Sequence, residues 1–400
     1  MAQKKTVTQE EISRVWSEEW KGQVPSKNIF THRLFIEGYA VFKKYIPKEA
    51  KKILDVGGGT GRYGIAFARE FPNTEVIVTD ILSEALQVGE ALAKEVGVTN
   101  VCFEQQDALH LSYEDGTFDV VFCDVVIQHI PQYQNALKEM IRVLKPGGTL
   151  IVSAVNTWNI PHALYKGVLH LFGNNYEYGY ERSFSPIELR RLLYGYHMER
   201  VAQGGFYFAY GLYRLKEHWR GFKLLGIITN RLSKIIDRLS RGWWSTLFGF
   251  EVFIVGRKFK FKVNNSGIFH LPSFSDKEGG MLISAEFGKS IPFIPKRIYV
   301  ISSITDREAV RGGHAHKKLE QIIFCINGSF ELRIDDGVRY QKISLRNNGL
   351  GFRLGPLLWH SMRRFSRDCV ILVLADEYYD ESDYIRHYDE FLAYVGRTAK

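Results

Sequence analysis

The chain has 400 residues, of which 45% are apolar and 24% charged, and a formal net charge of +9. These proportions exclude a disordered, collagenous or fibrous class, and the length predicts two domains rather than one. The four cysteines, Cys102, Cys123, Cys325 and Cys369, form no C-x-x-C pair, the opening MAQKKTVTQEE has no apolar signal core, and no run approaches the roughly 20 apolar residues of a membrane span, so the expected compartment is the reduced cytoplasm.

From about Glu10 to Tyr45 the pattern is helical and rich in Trp and Phe, which predicts a lid over a cleft. Between Ile53 and Val155 the β-branched runs KKILDVGG, TEVIVTD, NVCFEQQD, FDVVFCDVV and TLIVSAV alternate with helical patterns, the signature of a parallel sheet with helical crossovers. Two more strands, around Arg200–Tyr210 and Phe248–Arg257, bracket a helical insertion at about 211–246. Inside it Leu224, Leu225, Ile228, Leu232, Ile235, Ile236 and Leu239 recur at helical spacing, with Lys223, Arg231, Lys234 and Arg238 between them. Eight basic residues from Arg214 to Arg241 stand against only Glu217 and Asp237, so most of the surplus charge lies here. Either the stripe docks on its own domain and the charges are a solvated face, or the helix meets a membrane surface or a lipid-linked substrate. Nucleic acid is not the expected partner.

The stretch KFKFKVNNSG places a boundary near Lys258–Ser266. Beyond it RIYVISS, QIIFCI, SFELRID, YQKISL, LGFRLG and CVILVLA follow at the intervals of an antiparallel sandwich or barrel. The expected domains are therefore 1–258 and 267–400.

The turn Asp55-Val-Gly57-Gly-Gly59-Thr-Gly61 follows a strand and opens a helix, where glycines let the backbone pass close to a ligand. Its G-x-G-x-G spacing departs from the G-x-G-x-x-G of dinucleotide sites. Together with Asp80 ending the second strand, Asp107 in the next, FDVVFCD and LKPGG, the turn makes Lys51–Val155 resemble the class I SAM-dependent methyltransferases. The resemblance implies a doubly wound, Rossmann-like α/β domain that binds S-adenosyl-L-methionine (SAM). Asp55, Gly57, Gly59 and Gly61 would border the methionine portion, Asp80 the ribose hydroxyls, Asp107 and Ala108 the adenine edge, and Asp124 the cleft. Methyl transfer is an in-line displacement, so a base matters only when the acceptor must lose a proton. His129 is the first candidate, followed by Tyr133, His162 and Tyr176; a structural histidine is the alternative reading of His129. The acceptor is not written in this half.

In RGGHAHKK, strand periodicity puts His314 and His316 on one face, and PLLWH brings His360 after LGFRLG. The pattern suggests an all-β cupin barrel, whose metal-binding members add a glutamate a few residues after H-x-H. Here that position is Gln321, and Glu320 points to the other face of a regular strand, so no metal is expected. Two imidazoles beside Arg311 suit proton transfer, with a polar core pair as the bland alternative. With KRIY, IDDG and the long DEYYDESDYIRHYDEFL, Ser273–Leu392 closely resembles the sugar 3,4-ketoisomerases acting on dTDP-4-keto-6-deoxyglucose. That resemblance implies a metal-free shift of the carbonyl from carbon 4 to carbon 3 through an enediol, with His314 and His316 as the acid–base pair. It also implies Arg311, Lys317 and His360 on the substrate, Tyr299 in the pocket, and a homodimer. Family members often carry aromatics after that tyrosine, where this chain has Val300 and Ser302, which leaves the acid and the stereochemistry open. The expected whole is a bifunctional deoxysugar enzyme. Its rivals are a methyltransferase with a sugar-nucleotide-sensing barrel and an RNA methyltransferase using the basic insertion.

Overall fold

The computed structural model describes the chain except residues 1–13, 18–25, 173–178, 197, 216–220, 261–262, 272, 276–280, 289–290, 307, 347–349 and 397–400. The chain forms two compact units, Met1–Phe259 and Lys260–Lys400.

In the first unit, strands β1 (Lys52–Val56), β2 (Glu75–Asp80), β3 (Val101–Gln105), β4 (Phe118–Cys123) and β5 (Leu144–Val155) are parallel. Strands β6 (Met198–Phe206) and β7 (Glu251–Lys258) complete a seven-stranded sheet in the order β3-β2-β1-β4-β5-β7-β6, with β7 antiparallel to both neighbours. The central strands bury both faces: Ile53, Leu54, Val76, Val78, Val120, Val121 and Phe122 are all buried. Unbroken apolar runs of this kind are what a parallel sheet covered by helices requires. One core gathers Leu54, Val121, Leu137, Met140 and Leu150, and another Phe42, Ile53, Phe67, Phe122 and Phe253, so each face of the sheet has its own packed layer. Strand order reverses between β1 and β4, and the crevice at their carboxyl ends is where such sheets hold ligands.

Between β6 and β7 lie the helices Tyr210–Leu215, Gly221–Leu239 and Trp243–Phe248. Of the two readings of the long helix, docking of its Leu/Ile stripe on its own domain is overturned. That helix buries Gly226, Asn230 and Ser233, while Leu224, Leu232, Ile235 and Leu239 face solvent. Polar contacts fix this orientation: Trp244 Nε1 donates to Ser233 Oγ at 3.0 Å, and Asp237 Oδ1 accepts from the Ser245 amide at 2.8 Å.

The second unit is built from antiparallel strands: β8 (Ser266–His270), β9 (Ser273–Ser275), β10 (Met281–Ile283), β11 (Arg297–Ile301), β12 (Arg311–His316), β13 (Gln321–Asn327), β14 (Ser329–Asp335), β15 (Tyr340–Arg346), β16 (Leu350–Leu354), β17 (Trp359–Arg363), β18 (Val370–Ala375) and β19 (Tyr384–Ile385). They make two five-stranded sheets, β11-β18-β13-β16-β8 and β15-β14-β17-β12-β19, and the small pair β10-β9. Alternation sets the inner face: Phe330, Leu332 and Ile334 of β14 are buried and their neighbours are not. The β12–β17 register shifts between Gly312 and His314, and His314 then pairs with His360. Gly312 and Gly313 take φ of 77° and 76°, a left-handed backbone that glycine adopts without penalty and that re-aims His314.

Candidate active sites

In the first unit a cavity of about 380 Å³ opens at the switch point, walled by the ends of β1, β2 and β4. Gly57, Gly59 and Gly61 have φ of 69°, 56° and 68°. A Cβ on Gly57 would sit 2.6 Å from Val126, and one on Gly61 2.6 Å from Phe103, so the turn closes only with glycine. Asp80 ends its strand at the cavity: its Oδ2 accepts from the Gly59 amide at 3.0 Å and its Oδ1 from the Leu82 amide at 3.0 Å. Ile81 N is a third backbone donor to this carboxylate, and three donors leave it acceptor capacity for a ligand hydroxyl. Asp107 and Ala108 also line the cavity, with Asp107 Oδ1 accepting from Leu109 N at 2.9 Å. Asp55 lies deeper, accepting from Gly64 N at 3.0 Å; burial, with Asp124 nearby, pushes its carboxyl up to about 7.

The cavity floor holds groups that the sequence does not single out. Arg62 Nη2 reaches Asp124 Oδ2 at 3.1 Å, and Ser153 Oγ donates to Asp124 Oδ1 at 2.7 Å. Behind them Glu251 is fully buried, close to Asp124. Burial and the neighbouring Asp124 charge raise its pKa well above the usual carboxylate range. Glu181 also lines the cavity, and Lys166 Nζ at 2.6 Å and His162 Nε2 at 3.3 Å share its Oε1. Burial raises the Glu181 carboxyl, but these two partners outweigh it and bring the pKa down to about 2. No spacing in the sequence announces these contacts, because they come from loops and helices far apart along the chain.

Of the proposed bases, His129 does reach the cavity wall, where Trp16 stacks edge-on at 5.0 Å. Its Nδ1 lies 2.8 Å from the Tyr180 carbonyl and its Nε2 3.2 Å from the Gln128 amide nitrogen, so Nδ1 donates, Nε2 accepts, and both are occupied. Burial lowers its pKa and keeps the ring neutral. Tyr133 is not brought to the cavity; its hydroxyl accepts from Arg182 at 3.1 Å and its ring packs on Phe184. His162 sits beneath Glu181 rather than on the wall. Tyr176 lies outside the described residues.

In the second unit a cavity of about 630 Å³ is lined by Arg297, Tyr299, Arg311, His314, His360 and Tyr384, among others. The His314 ring lies 4.6 Å from that of His360, 5.0 Å from His316 and 4.9 Å from Tyr384. The two motif histidines differ in position: His314 faces the cavity, and His316 is buried behind it. His316 Nδ1 lies 3.1 Å from Asp383 Oδ2, and its Nε2 is 3.5 Å from Gln321 Nε2, whose amide also donates to the Tyr299 hydroxyl at 3.2 Å. Nδ1–H toward the carboxylate and a bare Nε2 toward the amide is the tautomer these contacts select. The Asp383 carboxylate is itself set by amides, Lys318 N at 2.8 Å and Leu319 N at 3.3 Å. Burial, then the adjacent His314, lowers His316 to about 4; burial lowers His314 too, and drives His360 well below its ordinary value.

Arg311 stands at the exposed rim, and Tyr299 lies under the Arg297 guanidinium, 5.2 Å from its ring centre. Burial pushes the Tyr299 hydroxyl up to about 12. Lys317, expected on the substrate, is instead turned to the Ser382 carbonyl at 2.7 Å in the bend just after β12 and does not line the cavity. Glu320 points away as well, into a two-pronged pair with Arg353 at 2.7 and 2.6 Å. The sequence alone does not single out Asp383 and Tyr384, although both fall inside the DEYYDESDYIRH run.

A glycine turn at the switch point of a seven-stranded sheet defines a Rossmann-like methyltransferase domain, and the histidine-floored antiparallel unit is of the cupin type. Residues 47–176 match the family described as methyltransferase domain, and residues 264–396 the WxcM-like, C-terminal family. The TDP-4-oxo-6-deoxy-alpha-D-glucose-3,4-oxoisomerase of Aneurinibacillus thermoaerophilus is 50% identical over 118 residues, 30% of this chain and 84% of that protein. The ubiquinone/menaquinone biosynthesis C-methyltransferase UbiE of Haemophilus ducreyi is 32% identical over 155 residues, and the match spans 37% of this chain but only 60% of that relative. Among solved structures, the sugar 3,4-ketoisomerase of Thermoanaerobacterium thermosaccharolyticum in complex with TDP is similar at 40% identity, over 33% of this chain and 96% of that one, with a TM-score of 0.32. The chain belongs to the WxcM-like sugar 3,4-ketoisomerase family through its second unit and carries a methyltransferase domain in its first.

Proposed function

We propose that the protein is a bifunctional sugar-nucleotide enzyme of the cytoplasm. The second unit would shift the carbonyl of dTDP-4-keto-6-deoxyglucose from carbon 4 to carbon 3, and the first would methylate an amino or hydroxyl group of a related deoxysugar. The observation that carries the isomerase reading is His314 on a cavity wall, with the hydrogen-bonded pair His316–Asp383 behind it; burial lowers the His314 pKa, which suits it to act as a base. A neutral imidazole can take the proton from carbon 3 while the carbonyl oxygen at carbon 4 gains one, giving the enediol; the hydroxyl at carbon 3 then releases its proton and carbon 4 receives one. Atoms balance with no redox partner. Arg311 at the rim and Arg297 beside Tyr299 supply positive charge for the diphosphate or the developing oxyanion, and His360 closes the floor. A homodimer through this unit belongs to the same reading.

SAM, when bound, supplies an electrophilic methyl group on a sulfonium. The cavity fits it by the left-handed glycine turn, which a Cβ at Gly57 or Gly61 would block, and by the Asp80 carboxylate at the end of its strand, which keeps acceptor capacity. Asp80 would hold the ribose hydroxyls, Asp107 and Ala108 the adenine, and Asp55, Gly57, Gly59, Gly61 and Asp124 the methionine end. With both nitrogens engaged, His129 holds the wall rather than taking the acceptor's proton.

The test is to follow the sugar protons of dTDP-4-keto-6-deoxyglucose by NMR in deuterated water with the full chain and no SAM. A 3-keto product carrying solvent deuterium is expected. An unchanged spectrum from folded protein would reject the isomerase reading for this substrate and leave the methyltransferase domain untouched.

A further inference from the structure

The helix Gly221–Leu239 is amphipathic in the reverse sense for a globular protein. At 100° per residue its Leu224, Leu225, Ile228, Leu232, Ile235, Ile236 and Leu239 fall within an arc of about 120°. Every one of them is exposed: Leu224 is 64%, Leu232 53%, Ile235 58% and Leu239 80% accessible. The opposite face, Gly226, Asn230 and Ser233, is the one that packs inward. Seven aliphatic side chains left in water on one helix cost stability without return unless something covers them.

The charges beside the stripe indicate what covers it. Arg231 and Arg238, both exposed, border one edge of the arc. The helix has one acidic residue, Asp237, and that carboxylate is turned inward to the Ser245 amide. Lys234 is tied to Glu37 at 2.8 Å, which anchors the helix to the body of its unit. Just past the helix end Trp243 is also exposed, a residue type that favours the headgroup level of a bilayer. A second copy of the helix would set arginine edge against arginine edge in an antiparallel pairing, with no carboxylate on the exposed face of either helix to answer them. An anionic lipid surface answers both the stripe and the arginines. No described helix is long and apolar enough to cross a membrane, so the contact lies in the surface plane.

We propose that the helix Gly221–Leu239 is a monotopic membrane anchor that lays its Leu/Ile stripe into the headgroup boundary of an anionic bilayer, with Arg231 and Arg238 on the phosphates. The methyltransferase unit is thereby held at a membrane surface. This goes beyond the two activities and stands without them.

The test is flotation of the full chain with unilamellar vesicles, either phosphatidylglycerol mixed equally with phosphatidylcholine or phosphatidylcholine alone. Binding is expected to the anionic vesicles and to weaken with salt. Leu232→Glu together with Ile235→Glu should weaken it by more than about tenfold, from the loss of two buried aliphatic groups. Arg231→Gln and Arg238→Gln should each weaken it about fivefold. Because these side chains are exposed, the variants should keep the wild-type circular dichroism and thermal midpoint. Folded wild-type protein that stays with the soluble fraction overturns the proposal. So does a vesicle affinity that the double glutamate variant leaves unchanged, or a dimer by sedimentation that this variant splits while neither protein floats.

Discussion

Replacing Asp383 by asparagine isolates the contribution of one carboxylate to the second site. Oδ1 accepts from Lys318 N and Oδ2 from His316 Nδ1, so the side chain acts in two directions. Asparagine has one oxygen. If it stays with the Lys318 amide, the NH₂ group faces His316 Nδ1, and the imidazole must carry its proton on Nε2 instead. That N–H then points at the Gln321 Nε2 amide, 3.5 Å away, donor against donor. Losing a charge-assisted hydrogen bond costs about 1.5–3 kcal/mol, and setting two buried donors together adds a penalty of about 1–3 kcal/mol. Even the smaller figures together correspond to about seventyfold in rate. The assay is the initial rate of deuterium incorporation into the keto sugar, alongside TDP affinity. The expected result is a kcat lower by about seventyfold or more with TDP affinity unchanged, partly rescued by adding Gln321→Glu, which offers an acceptor to the displaced N–H. A wild-type kcat for Asp383→Asn, or an equal loss of TDP affinity, would refute the argument that Asp383 acts by fixing the His316 tautomer.

Asp80→Ala should abolish measurable SAM binding by calorimetry while leaving isomerisation intact, because the two cavities share no residue. Gly57→Ala should do the same at some cost in stability, since its Cβ would meet Val126 at 2.6 Å in a left-handed backbone; a normal SAM isotherm would show that the turn can yield. His314 and His316 both have folded pKa values below the unfolded 6.5, so the unfolded chain takes up protons that the folded one refuses. Their contribution to stability is therefore complete above pH 6.5 and drains away as the pH falls toward the His316 value of about 4. Isomerase activity should hold as the pH falls through 6.5 and decline only in more acid solution, a profile measurable by initial rates; a midpoint at or above 6.5 would mean the base is a more exposed group. Glu251 runs the other way. Its raised pKa makes the folded state retain a proton that the unfolded chain releases above about 4.5, so the protein loses up to about 1.4 kcal/mol per pH unit as the pH rises toward the folded value. Glu251→Gln should flatten the fall of the melting temperature over that range, and an unchanged slope would place the titration elsewhere.

How far the sequence can be read depends on whether the signal is local. The strand-turn-helix of Asp55–Gly61 is local, and its left-handed glycines and the Asp80 contact to Gly59 are what that spacing requires. Strands such as QIIFCI and SFELRID declare themselves by composition and alternation, and they form β13 and β14. The residues that tune the sites are not local. Glu251 and Glu181 belong to no motif: Glu251 comes from the start of β7 to lie behind the first cavity's floor and Glu181 reaches its wall from a loop, and only the tertiary structure makes them neighbours of Asp124 and Lys166. Lys317 illustrates the opposite error, a basic residue inside a recognised motif that sits in the bend after β12 and is tied to the Ser382 carbonyl, away from the cavity.

The long helix of the insertion shows why a pattern can be legible and its meaning not. Periodicity defines the stripe of Leu224, Ile228, Leu232 and Ile235 only as a face, because an apolar stripe has a direction in the helix's own frame but carries no information on which side the domain lies. For an ordinary helix that ambiguity is settled by the assumption that apolar faces turn inward. Here the assumption fails for a reason visible in the polar face: Gly226 and Ser233 are small enough for close packing, and Ser233 and Asp237 find partners in Trp244 and Ser245. A buried face of small residues can dock where a leucine stripe is expected when hydrogen bonds such as those of Ser233 and Asp237 hold it in place. Once that face is committed, the aliphatic one is left over, and its neighbours Arg231 and Arg238 decide what it can meet.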